Sequence, residues 1–258
     1  MATLHIIGSG SAIASARRQN TSLALAHDAL VLIDCSGNPV SSLEKQGLSP
    51  WELDCLVLTH RHTDHVYGVP SLVHQLFLRH VTNPRGPLRI LGENSAINTV
   101  RGLLESSDLW NRPGCFNIEM EVVSMKGGTR TIGSMDLEFF PVSHGSTPTL
   151  GIAWLGSNTR RTLVYSCDTE PVAAVWQRAV PGSLLVHECS SFSEDSLGEH
   201  TSLAQIRKHA KDSKADIILV HLPPATVSEE EAIEMMLSKE FGTRVMLGYD
   251  GLMVDLDW

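Results

Sequence analysis

The sequence predicts an α/β fold of four layers, in which helices cover the outer faces of two stacked sheets. Two observations predict it. Each half of the chain opens on strand-like runs and then passes into alternating strands and helices. No low-complexity segment, internal repeat or Pro/Gly-rich linker divides the chain. A single domain over residues 1–258 is therefore expected, a length able to bury a sizeable core.

The elements follow in order. Residues 4–7 are strand-like and Gly8-Ser9-Gly10-Ser11 reads as a turn. Two apolar runs, 21–26 and 29–34, are separated by His27 and Asp28, as in a hairpin. A helix over 38–47 leads to a short buried strand at 55–59. Apolar residues recur at helical spacing over 65–80. Residues 88–91 form a strand, and a helix over 95–106 is opened by Asn94 or Ser95. Strands are predicted at 118–123, 136–142, 150–155 and 161–166, with a turn at 156–158 between the last two. A helix over 170–179 and a strand over 183–187 come next. Thr201 or Ser202 caps a helix over 203–210, which is followed by a strand at 216–220. Ser228, with Glu231 three residues on, reads as a capping box that opens another helix. Strands at 243–247 and 252–255 close the order.

Composition narrows the class. A formal net charge of −9 weighs against a broad nucleic-acid surface, because such surfaces neutralise phosphate with Lys and Arg. The first residues carry no basic stretch followed by an apolar one, and no apolar run approaches the length of a membrane span. Cys35, Cys55, Cys115, Cys167 and Cys189 form no C-x-x-C pair, which points to reduced thiols and a cytoplasmic location. The 12 histidines stand out, because several fall at strand ends.

The segment His60-Arg61-His62-Thr63-Asp64-His65 directly follows a predicted strand. Residues two apart in extended chain point the same way, so His60 and His62 can present two imidazoles to one metal. If a helix starts at Asp64, then Asp64 and His65 swing toward a second point. Imidazole and carboxylate together suit Zn²⁺, with Mn²⁺ or Fe²⁺ as alternatives. Three further candidates recur in one setting, just past a strand: His144, Asp168 and His221. Strand ends can converge on one rim of a sandwich, where loops build the site. Taken singly, Asp168 also suits a helix N-cap and His144 a turn beside Gly145. Cys35, Cys167 and Cys189 adjoin candidate residues and read either as soft ligands or as small buried side chains.

These motifs resemble the metallo-β-lactamase-fold hydrolases, and among them the ribonuclease Z-like branch. The resemblance runs in order through nearly the whole chain. It takes in Gly8-Ser9-Gly10-Ser11 with Arg18-Gln19-Asn20-Thr21-Ser22, then Leu32-Ile33-Asp34, then Thr59 through His65. It continues through Pro141-Val142-Ser143-His144-Gly145 and Ser166-Cys167-Asp168-Thr169 to His187-Glu188 and Glu199-His200-Thr201-Ser202. Leu219-Val220-His221 and Tyr249-Asp250-Gly251-Leu252 complete it. It implies a four-layer αββα sandwich with two mixed β-sheets and a homodimer. It also implies two divalent metals, zinc foremost. His60, His62 and His144 would hold one metal, Asp64, His65 and His221 the other, and Asp168 both. Asp64 would steer the proton of a metal-bound hydroxide. His200 would act as acid with Glu188 orienting it, and Asp34 would orient a ligand imidazole. For His200 a helix-capping role is the rival reading, and for Asp34 a turn near Gly37. His187 is expected to be structural.

The chain also departs from that branch. Its tRNA-processing members carry a protruding arm that grips tRNA, inserted in bacteria between the motifs of His144 and Asp168. The interval from His144 to Asp168 here leaves no room for one, and Leu222-Pro223-Pro224 replaces the usual residues after His221. The expected function is therefore phosphodiesterase action on a small or cyclic phosphodiester. The expected partner is a small anionic ester, with nucleic acid not favoured and no membrane. The competing readings are a tRNA 3′-processing endoribonuclease, a sulfatase, thioesterase or lactonase on the same fold, and a binding protein without activity.

Overall fold

The computed structural model describes residues 1–156, 162–193 and 198–257. The strands are β1 (Thr3–Gly8), β2 (Ser22–Ala26), β3 (Leu30–Ile33), β4 (Leu53–Leu58), β5 (Leu88–Gly92), β6 (Ile118–Val122), β7 (Gly128–Ile132), β8 (Met135–His144), β9 (Thr147–Trp154), β10 (Leu163–Tyr165), β11 (Leu184–Glu188), β12 (Asp216–Val220), β13 (Val245–Leu247) and β14 (Met253–Asp255). The helices are α1 (Pro39–Lys45), α2 (Thr63–Val66), α3 (Val69–His80), α4 (Asn94–Ser106), α5 (Ala173–Arg178), α6 (Leu203–Ala210) and α7 (Val227–Phe241).

Two mixed, 7-stranded sheets result, with orders β14-β1-β2-β3-β4-β5-β6 and β13-β12-β11-β10-β9-β8-β7. In the first sheet the pairings from β14 to β3 are antiparallel and those from β3 to β6 parallel. The second repeats this sequence of senses, antiparallel from β7 to β10 and parallel from β10 to β13.

The layering follows from strands that are apolar on both faces. In β4, Cys55 and Val57 face the second sheet, while Leu56 and Leu58 face helices. The inter-sheet core joins Leu4, Ile6, Leu23, Leu25, Phe139, Ile152, Tyr165 and Val186. On the outer face of the first sheet, α3 buries Val69, Leu72, Val73 and Leu76, at the spacing of one helical face. On the second, α6 and α7 bury Leu203, Ile206, Leu237 and Phe241. This is the expected αββα sandwich. No helix among the described residues is long and apolar enough to cross a membrane.

Several local readings are corrected. The helix expected over 65–80 is broken at Gly68, which separates α2 from α3. A Cβ at Gly68 would lie 2.9 Å from the Cys35 carbonyl oxygen, and Pro70 sits in the first turn of α3. The cap of α4 is Glu93, whose carboxylate accepts from the backbone N–H of Ser95 and Ala96, so neither Asn94 nor Ser95 opens it. The capping box of α7 is Thr226 with Glu229, not Ser228 with Glu231. The helix predicted over 170–179 spans only Ala173–Arg178, because Thr169 and Glu170 bond back to Ser143. β7 was not predicted; it is an edge strand with one fully buried side chain, Ile132. The turn expected at 156–158 and the start of the strand at 161–166 fall on residues 157–161, outside the described residues.

The α7 cap is open to test. Thr226→Ala should lower stability by about 1 kcal/mol in urea unfolding, whereas Ser228→Ala should stay within about 0.5 kcal/mol of wild type.

Candidate metal centre

The parallel pairing of β3 with β4, and of β10 with β11 and β12, brings the C-terminal ends of these strands to one rim. Asp34 follows β3, the His60–His65 segment follows β4, and Asp168 lies past β10. His144 and Glu188 are the last residues of β8 and β11, and His221 follows β12. Asp34, Cys167 and His221 all adopt positive φ, at 58°, 54° and 55°. Non-glycine residues pay for that conformation in strain. Here it turns the chain sharply at three strand ends, two of them at candidate residues and the third beside one.

His62 is the extended residue before α2, so His60 and His62 share a direction while Asp64 and His65 enter the helix. Ligand atoms of His60, His62 and His144 lie within 4.8 Å of one another, as do those of Asp64, His65, Asp168 and His221. The Asp168 Oδ2 atom stands between the two groups. It is 3.9 Å from His60 Nε2, 3.3 Å from His65 Nε2 and 3.2 Å from His221 Nε2. Asp64 Oδ2 lies 3.3 Å from His65 Nε2 and 3.6 Å from His221 Nε2.

The far nitrogens explain why these rings point inward. His65 Nδ1 donates to Asp34 at 2.8 Å, and His144 Nδ1 to the Glu199 carbonyl at 2.8 Å. His60 Nδ1 lies 3.1 Å from Thr59 Oγ1, whose own proton goes to Asp34. His221 Nδ1 lies 2.8 Å from Ser190 Oγ. Each Nδ1 thus carries the proton, leaving Nε2 a lone pair facing the centre. His62 differs: its Nδ1 faces His144 Nε2 at 3.1 Å and its Nε2 faces Thr147 Oγ1 at 3.1 Å.

Buried polar atoms are ordinarily hydrogen-bonded. Nε2 of His60, His65 and His221 and Oδ1 of Asp168 are buried without a hydrogen-bond partner. Convergent imidazole lone pairs beside two carboxylates fit a divalent cation by donor type and by this unmet demand.

His200 donates from Nδ1 to Glu188 Oε1 at 2.8 Å. Its ring packs 4.7 Å from that of His144 and 5.3 Å from that of His221. Burial alone would push its pKa down, but the hydrogen bond and charge of Glu188 outweigh this and raise it above the ordinary imidazole value. The cap of α6 is Ser202, in a capping box with Gln205, so that helix does not use His200. Glu188 is fully buried and also accepts from the N–H groups of Thr169 and Ser190. His187 points away, stacked on Trp176 in the outer layer at 5.1 Å. Burial pushes the thiols of Cys35, Cys167 and Cys189 up, which keeps them protonated and favours the small-buried-residue reading.

Thr59, Ser190 and the Glu199 carbonyl were not singled out from sequence. Asn20 and Tyr67 line a cavity of about 410 Å³ with Ala12, Thr63 and Asp64. The Tyr67 hydroxyl donates to Asn20 Oδ1 at 3.0 Å. Arg18 is structural: buried, it donates to Glu230, Ser9 and the Gly248 carbonyl. Residues 194–197, between Ser190 and Glu199, lie outside the described residues.

Residues 2–240 match the family described as anti-Pycsar protein Apyc1. The chain is 25% identical to ribonuclease Z of Pyrococcus abyssi over 272 residues, which cover 84% of this chain and 85% of that one. It superposes on the metallo-β-lactamase fold protein YhfI of Bacillus subtilis with a TM-score of 0.79 and 19% identity, covering 98% of both chains. A diphosphatase from the PhnP family gives a TM-score of 0.76 and 19% identity, with 99% of this chain and 98% of that one covered. The fold is thus that of the metallo-β-lactamases.

Asp34→Asn keeps a residue tolerant of positive φ but places an amide N–H₂ or a single acceptor where His65, Thr59 and its N–H need two charged oxygens. It should leave the fold intact by circular dichroism and weaken Zn²⁺ binding about 10–100-fold in chelator competition.

Proposed function

Because this chain belongs to the anti-Pycsar protein Apyc1 family and is a metal-dependent hydrolase of the metallo-β-lactamase fold, we propose that it cleaves a small or cyclic phosphodiester at a two-metal centre. His60, His62 and His144 would hold one metal, Asp64, His65 and His221 the other, and Asp168 would serve both. Zinc suits this donor set best, with manganese and iron next. When bound, the metals would render a water nucleophilic near neutral pH and neutralise phosphate charge.

The observation that carries this reading is the Glu188–His200 pair beside the donor groups. Glu188 takes the Nδ1 proton of His200 in a hydrogen bond and favours the imidazolium. That leaves the Nε2–H of His200 free to stabilise charge on the phosphate and to protonate the departing oxygen. Asp64, partly exposed beside the cavity, would take the proton of the attacking water. Asp34 holds His65 in the tautomer that leaves its Nε2 available. A cavity of about 410 Å³ suits a small ester.

A second reading, endoribonuclease action, is favoured by the similarity to ribonuclease Z of Pyrococcus abyssi along 84% of this chain. Tight, salt-sensitive gel shifts with precursor tRNA would favour it; the net charge of −9 opposes it.

Protein loaded with Zn²⁺, Mn²⁺ or Fe²⁺ should hydrolyse bis(p-nitrophenyl) phosphate. Asp168→Ala should abolish turnover, and His200→Ala should lower kcat about 10²–10⁴-fold with metal content unchanged. Absence of turnover with all three metals, or a thioester or sulfate ester turned over far faster, sinks the assignment.

A further inference from the structure

One side chain that the reaction scheme does not use joins its two halves. Ser190 Oγ lies 2.6 Å from Glu188 Oε2, 2.8 Å from His221 Nδ1 and 3.1 Å from His200 Nδ1. A serine hydroxyl has one proton to give and two lone pairs to receive. Glu188 is an acceptor only, so the shortest contact takes the Ser190 proton. His200 Nδ1–H is already committed to Glu188 Oε1 at 2.8 Å. The remaining strong contact is therefore His221 Nδ1–H donating to Ser190 Oγ.

The first sheet contains the same device. Asp34 accepts directly from His65 Nδ1 and from the Thr59 hydroxyl, and that hydroxyl faces His60 Nδ1 at 3.1 Å. On each side a buried carboxylate holds one imidazole directly and a second through a hydroxyl. In the second sheet the direct partner is His200 and the relayed partner is His221. Ser190 is fixed as well through its backbone N–H, which donates to Glu188 Oε2 at 3.1 Å.

We propose that Ser190 is a positioning residue whose hydroxyl sets the tautomer of His221 and ties that ring to the Glu188–His200 pair. The metal-affinity part of this inference rests on the two-metal reading above. With Nδ1 protonated, His221 Nε2 faces Asp64 and Asp168 as a lone pair, ready for a metal. Without the hydroxyl, Nδ1 loses its acceptor, and the proton is free to move to Nε2, where the two carboxylates attract it. The same loss frees one Glu188 oxygen.

Two measurements test this on Ser190→Ala and Ser190→Thr, with thermal unfolding as the control for folding. Long-range ¹H–¹⁵N spectra of the metal-free protein read the tautomer of His221 directly. The wild type and Ser190→Thr should show the Nδ1–H form, and Ser190→Ala a shift toward Nε2–H. Competition with a chromophoric chelator should show one metal equivalent weakened about 10–100-fold in Ser190→Ala and retained in Ser190→Thr. An unchanged tautomer and affinity in Ser190→Ala overturn the proposal, as does a Ser190→Thr protein that loses both. If Ser190→Ala does not fold, Ser190→Cys, whose thiol is a weak donor and acceptor, takes its place and should show the same shift to a lesser degree. A wild type that binds no metal but shows the Ser190-dependent tautomer refutes the two-metal reading and leaves the positioning role supported.

Discussion

The rim of this sandwich is organised by a demand that hydrogen bonding inside the protein does not meet. Lone pairs of His60, His65 and His221 and one oxygen of Asp168 face each other in a buried space. Placing several imidazoles and two carboxylates there costs solvation that only pairing or a cation restores. Asp64 adds to it, with its Oδ2 3.3 Å from His65 Nε2 and 3.6 Å from His221 Nε2. Asp34, Cys167 and His221, at the ends of strands that reach this rim, each hold a positive φ.

Rigidity for this arrangement comes from two carboxylates with no exposed surface, Asp34 and Glu188. A buried charge persists only when its lone pairs are filled. Asp34 is filled by the N–H and hydroxyl of Thr59 and by His65. Glu188 is filled by Thr169, His200 and both donors of Ser190. Each therefore acts as a fixed post from which rings are hung. The backbone reinforces the first post, since Cys35 N–H bonds to the His65 carbonyl and Gly68 N–H to the Cys35 carbonyl. Glycine at position 68 permits that contact, which is why the predicted continuous helix has to break there.

Much of this could be read from the chain, for identifiable reasons. His60 through His65 is contiguous, so its geometry is local and follows from strand and helix periodicity. His144, Asp168 and His221 were marked by falling at or just past strands, a cue that needs only the strand assignments. Thr59 and Ser190 carried no such cue, because small hydroxyl residues at strand ends are common and act here through partners distant in sequence. The α7 cap failed for a different reason. Thr226 with Glu229 and Ser228 with Glu231 both fit the same four-residue pattern, and the pattern does not say in which frame the chain enters the helix. β7 escaped because an edge strand with one buried residue lacks the apolar run by which the others were found.

The two sheets share one sequence of strand senses, yet they are completed differently. Among the described residues, the strands of the second sheet come from one continuous stretch, β7 to β13, whereas the first borrows β14 from beyond it. During synthesis from the N-terminus, β1 therefore keeps an open edge until Met253–Asp255 has emerged. His60, His62, Asp64 and His65 are made long before Asp168 and His221, so the growing chain carries part of the candidate site on an unfinished sheet. β1 gains β14 as its outer neighbour only after every residue of the candidate site has been made. The strands of the second sheet are thus contiguous in the chain, whereas β1 depends for one neighbour on a strand made about 245 residues later.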